Sequence, residues 1–136
     1  NQALILKAWG RLDEAMALHK KEEAICDQLG DRAGLQASYG NQALILKAWG
    51  RLDEAMALLQ KQEAICQQLG DRAGLARSYA NQGALHAAQA QNTEARKMYE
   101  FALAIFTELR MPRERDIVQG RLDSLPPRAD SASSGE

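Results

Sequence analysis

The chain has 136 residues, 46% of them hydrophobic and 26% charged, with a formal net charge of -1. That length fits one domain, and the apolar share is enough for a continuous core along stacked helices. Mixed charge without a basic run excludes wholesale binding to nucleic acid or to an anionic membrane, and no apolar stretch is long enough to span a bilayer.

Residues 1–40 are written again as residues 41–80 with seven substitutions: His19 against Leu59, Lys20 against Gln60, Glu22 against Gln62, Asp27 against Gln67, Gln36 against Ala76, Ala37 against Arg77 and Gly40 against Ala80. A third, more divergent copy starts at Asn81, where Gln82-Gly83-Ala84-Leu85 stands for Gln42-Ala43-Leu44-Ile45. A unit recurring every 40 residues predicts a solenoid, because one copy cannot bury its apolar face without a neighbour. The expected fold class is all-α, a right-handed superhelical solenoid of antiparallel helix hairpins.

In chain order, the sequence opens at Asn1 without a methionine, at the point matching Asn41. It therefore reads as a piece of a longer array with a short first helix, ending at a bend at Gly10. Gly30-Asp31 closes one helix and opens the next, since glycine suits a left-handed C-terminal position and aspartate caps an N-terminus. Gly70-Asp71 repeats the device. Between them a helix is expected over residues 32–49, a stop at Gly50, and a second helix over residues 53–69. Leu52, Ala55, Met56, Leu59, Ile65, Cys66 and Leu69 form one stripe at spacings of three and four; Tyr39, Ala43, Leu46 and Trp49 form another, widened by Leu44 and Ile45. The third bend has Ala90 in place of glycine, which is unfavourable if the turn needs a left-handed residue. Residues 112–125 read as a capping helix started by Pro112, with Ile117, Val118, Leu122 and Leu125 as its apolar stripe. Pro126-Pro127 ends it, and residues 126–136 read as a disordered tail. The implied division is a solenoid over residues 1–125, with repeats at 1–30, 31–70 and 71–110.

Gly10-Arg11-Leu12-Asp13-Glu14-Ala15, Gly50-Arg51-Leu52-Asp53-Glu54-Ala55 and the degenerate Ala90-Gln91-Asn92-Thr93-Glu94-Ala95 set a small alanine five residues after each bend. This pattern resembles the tetratricopeptide repeat, with further matches at Tyr39, Leu46, Leu59, Tyr79, Gly83, Tyr99, Ala102 and Leu103. The family period is 34 residues; the longer period here is similar to the repeats of kinesin light chain and nephrocystin. One departure is the pair Glu22-Glu23, matched by Gln62-Glu63, where the family carries an Ala-Leu pair such as Ala102-Leu103. These polar residues are expected at a solvated edge or in a hydrogen bond to the next repeat.

The resemblance implies a protein-interaction module whose first helices line a concave face. Carried over, the peptide-binding positions are Asn1, Leu4 and Lys7; Asn41, Leu44 and Lys47; and Arg77 and Asn81, followed by Ala84 and Ala87. Carboxamides offer both donor and acceptor to a ligand backbone, and the cations bias the groove toward acidic ligands. Leu4, Ile5, Leu6 and Trp9, uncovered by a preceding repeat, are expected to support self-association into a homo-oligomer. The alternative role is a structural spacer or self-assembly arm of a larger protein. Cys26 and Cys66 share a repeat position, so they trace to duplication and not to a disulfide framework, and they fit a reducing cytoplasmic setting. No enzyme is expected: His19 and Cys26 lack an acidic third member, Leu59 replaces the histidine in the second copy, and two ligands are too few for zinc. No cofactor is implied, as the glycines fall at bends and helix contacts and not in a phosphate loop.

Overall fold

The computed structural model describes the backbone of residues 2–127 and the side chains of residues 10–127. Six helices follow one another: α1 (Gln2–Leu29), α2 (Arg32–Ala48), α3 (Leu52–Leu69), α4 (Arg72–Ala88), α5 (Asn92–Glu108) and α6 (Pro112–Asp123). They fall into two compact units, Asn1–Gly70 with α1 to α3 and Asp71–Glu136 with α4 to α6. Among the described residues there is no strand. The segment read as a tail lies outside the described residues from Arg128 onward.

The helix boundaries at Gly30 and Gly70 form as the local chemistry dictates. Gly30 has φ +71° and Gly70 +69°, a left-handed backbone that costs glycine nothing. The following aspartates cap: Asp31 and Asp71 accept from the Gly34 and Gly74 amides, each at 2.9 Å, satisfying one free N–H at the start of α2 and of α4. At the third bend Ala90 itself adopts φ +58°, and Arg110, after α5, adopts +57°. Both accept a conformation that costs an L-residue about 1–2 kcal/mol. The position of Arg110 is that of Gly70 one period earlier and of Gly30 two periods earlier.

The bend expected at Gly10 is absent. α1 runs 28 residues through Gly10-Arg11 without a break, so the first copy is one helix and not a hairpin with a short first arm. At Gly50, in the same local sequence, the chain turns with φ +80°. There the Arg51 amide donates to the Leu46 carbonyl at 2.8 Å, and the Arg51 guanidinium lies 5.3 Å from the Trp49 ring centre.

In the first unit α2 packs on α1 and on α3. Ala55 is fully buried, with Leu59, Ile65 and Cys66 also inside, as their spacing requires. Leu69 departs from its expected stripe and is 45% exposed, because it ends the last turn of α3. The interior also holds polar residues that the apolar pattern did not disclose: Ser38, Gln42 and Gln62. Ser38 donates to the His19 carbonyl at 2.8 Å, and the Gln42 amide donates to Glu23 at 2.8 Å and to Ser38 at 3.1 Å. Between α2 and α3 the Gln62 amide donates to the Gln36 side-chain oxygen at 3.0 Å, and the Cys66 thiol reaches the same oxygen at 3.3 Å. The family departure at Glu23 and Gln62 is thus met by polar partners on the neighbouring helix.

Two of the seven substitutions, Gln36 against Ala76 and Gly40 against Ala80, belong to one exchange with a third change, Gln62 against Ala102 in the next copy. Gly40 approaches Gln62 so closely that a Cβ there would stand 2.6 Å from the Gln62 amide nitrogen. In the second unit the corresponding positions are Ala76, Ala80 and Ala102, all buried and apolar. With Ala102 in place of the long amide, Ala80 fits where Gly40 was needed, and no partner like Gln36 is required. The α2–α3 crossing is therefore built on a hydrogen-bonded amide pair and the α4–α5 crossing on small apolar contacts.

The second unit has its own core of Ala76, Ala80, Ala95, Tyr99, Ala102, Ile105, Phe106 and Val118. Gly83 lies against the Tyr99 ring, where a Cβ would come within 2.8 Å. α6 starts with Pro112 in its first turn and closes over α5 through Val118, with Leu122 and Leu125 beside it. Ile117, expected in that stripe, is 48% exposed, since it sits one residue and about 100° around the helix from Val118.

Candidate functional site

The surface expected to bind a peptide can be followed on α2 and α4. Asn41, Leu44 and Lys47 are all exposed on α2, at spacings of three that hold them near one face. The buried side of the same helix carries Leu35, Ser38, Ala43, Ile45 and Leu46. On α4, Arg77 is exposed, while Asn81, Ala84 and Ala87 are half-buried. Asn1 and the side chains of Leu4, Ile5, Leu6, Lys7 and Trp9 lie outside the described residues.

Within the second unit, a concavity of about 460 Å³ opens where the ends of α4 and α6 meet α5. Ala87 is the one expected groove position that lines it. The others are Ala90, Asn92, Tyr99, Arg121, Ser124, Leu125 and Pro126. The chain after α6 is held in place by Arg96, whose guanidinium donates to the Pro126 carbonyl at 2.8 Å. Burial pushes the Tyr99 phenol above its ordinary pKa, and the Arg121 charge opposes that push. Arg121 was not singled out by sequence reasoning. The signal was present in the repeat: counting by the 40-residue period places Arg121 in phase with Asn41 and Asn81.

The residues weighed for catalysis are differently employed. His19 is half-buried on α1, 3.4 Å from the Glu22 carboxylate. The Cys26 thiol is pushed up in pKa by burial first, then by the charges of Asp31 and Glu22, and it hydrogen-bonds Asp31 at 3.9 Å. That environment keeps the thiol protonated, the opposite of what an activated nucleophile needs. His86 contacts the Gln91 side-chain oxygen at 2.6 Å. Among the described residues no three His, Cys, Asp or Glu side chains group to hold a metal ion, and no helix is long and apolar enough to cross a membrane.

A family model described as tetratricopeptide repeat matches residues 34–108. No curated protein matches the chain. Among solved structures, the chain is similar to the crystal structure of BtubC (BKLC) from P. vanneervenii, with a TM-score of 0.64 and 18% identity, covering 99% of this chain and 63% of that one. At that identity the likeness concerns the fold, and the chain spans less than two thirds of the BtubC structure.

Proposed function

The chain belongs to the tetratricopeptide repeat family, and on that premise we propose that it is a protein-interaction module that captures a peptide or protein segment on the concave side its first helices line. Repeats of this family generally mediate contacts between proteins and act as scaffolds, not enzymes. The observation that carries the reading is the exposed row of Asn41, Leu44 and Lys47 on a helix whose other side is committed to the core. An amide, an apolar contact and a cation in succession serve, in turn, a ligand backbone, an apolar side chain and a carboxylate. Arg77 and Asn81 on α4 offer a cation and an amide of the same kind. The preferred ligand is acidic, and the setting is cytoplasmic, in keeping with two cysteines that form no disulfide.

The test is capture by the immobilised chain, followed by competition with peptides cut from the recovered protein. Asn41→Asp combined with Lys47→Glu should weaken capture at least tenfold, the scale of one lost charge-assisted contact, with an unchanged melting temperature. Capture that survives the double variant intact would refute the α2 face.

A second reading, self-association of the chain as an assembly element, is favoured by one feature of α1. Leu18, Ile25 and Leu29 are 59%, 54% and 76% exposed, whereas Ile65, the counterpart of Ile25, is 5% exposed beneath α2. Leu4, Ile5, Leu6 and Trp9 enter this reading only as sequence expectations. Sedimentation equilibrium should show a concentration-dependent mass that Leu18→Gln with Ile25→Gln abolishes; a monomer at all concentrations disposes of the reading.

A further inference from the structure

The long first helix has two faces of unlike fate. Toward α2 it turns Met16, which is buried, together with His19 and Glu23, which meet Ser38 and Gln42. About 100° around the helix lies a second face formed by Arg11, Ala15, Leu18, Glu22, Ile25 and Leu29. All are exposed except the half-buried Ala15. Their spacing alternates four and three without a break, which is the seam of a helix that pairs with another helix along its length. Counting back by the same rule reaches positions 8 and 4, an alanine and a leucine in the sequence, so the seam runs through nearly all 28 residues of α1. On α3 the matching face is closed by a helix: Ala55, Gln62 and Ile65 are buried there, with Gln62 bonded to Gln36 of α2.

The order of side chains along the seam decides what fits it. A second α1 laid antiparallel, with a two-fold axis between residues 16 and 17, sets Arg11 against Glu22 and Ala15 against Leu18, each pair occurring twice by symmetry. Ile25 and Leu29 fall at positions 8 and 4 of the second copy, and beside the seam Glu14 falls near Lys21. Cation meets carboxylate, and small meets large. Arg11 enters no ion pair among the described residues, and the Glu22 carboxylate, 3.4 Å from the His19 ring, keeps 58% of its side chain exposed. A parallel pair would instead set Arg11 on Arg11 and Glu22 on Glu22, like charges in contact. Head-to-tail stacking on α6 meets the same obstacle. By the 40-residue period Asp116 is in phase with Gln36 and Glu22 with Gln62, the pair that touches between α2 and α3, so two carboxylates would coincide.

We propose that α1 is a dimerisation helix that pairs antiparallel with the α1 of a second copy, in the register fixed by the Arg11 and Glu22 contacts. The proposal rests on the self-association reading and adds to it the partner surface, its direction and its register.

The experiment is sedimentation equilibrium of the full chain carrying Arg11→Glu, Glu22→Arg, or both. Each single reversal creates two like-charge contacts and should weaken association at least tenfold. The double reversal restores opposite charges across the seam and should return association to within about threefold of the unmodified chain. In a parallel pair neither single reversal changes the number of like-charge contacts, so this pattern also reports direction. Single reversals that associate at full strength, or a double reversal that recovers nothing, would overturn the register; if Leu18→Gln with Ile25→Gln still abolishes association, the self-association reading stands without it. A monomer at every concentration of the unmodified chain overturns both.

Discussion

Residues 1–18 and 41–58 are the same eighteen amino acids in the same order, and they adopt two conformations. In the first, α1 passes straight through Gly10; in the second, α2 ends and α3 begins around Gly50 in a left-handed turn. Glycine permits both backbones, so it cannot choose between them. The choice shows in the packing: Ala55 is fully buried where α2 returns against α3, and its twin Ala15 is only half-buried. A bend of this type is therefore a tertiary event that the local sequence allows without requiring.

The comparison is broken most directly by filling the small position. Ala55→Leu overfills the α2–α3 crossing and should cost about 1–3 kcal/mol in urea unfolding, whereas Ala15→Leu, at a crossing that does not form, should change stability by less than about 0.5 kcal/mol. Equal effects would mean that the two segments share one environment. A sharper contrast comes from the glycines. Gly50→Ala forces a Cβ into φ +80° and should destabilise by about 1 kcal/mol, while Gly10→Ala, in mid-helix, should stabilise by about 0.5–1 kcal/mol. Opposite signs in paired thermal melts are the expected result. The smallest effect concerns the third bend, where Ala90→Gly should relieve its left-handed strain and raise stability by up to about 1 kcal/mol. A lowered melting temperature there would show that chain entropy outweighs the strain.

Much of the fold was legible because its punctuation is local. Gly30-Asp31, Gly70-Asp71 and Pro112 act through the backbone of their own few residues, and each boundary forms where that chemistry places it. The repeat period and the stripes of Ala55, Leu59, Ile65 and Cys66 carried the helix pairing. What escaped depends on partners distant in sequence. Nothing in the local sequence marks Gln42 as buried, and for Gln62 it leaves a solvated edge and a hydrogen bond equally open; only the coincidence of Glu23, Ser38 and Gln36 supplies the partners their burial needs. Of the candidate binding positions, Asn41, Leu44 and Lys47 follow from helical spacing. The concavity does not, since Tyr99 and Arg121 stand on separate helices and meet only after α6 has folded over α5.

The amide of Gln42 has a last consequence for the long first helix. It is held at once by Glu23 on α1 and by Ser38 one turn earlier on α2, while Ser38 is itself anchored to the His19 carbonyl. Sliding α1 along α2 by a single turn would strip the buried Gln42 amide and Ser38 hydroxyl of these partners and leave the half-buried Glu23 carboxylate unpaired, so the polar contacts favour one alignment of the two rods. The part of α1 beyond Gly10 is thereby moored to α2.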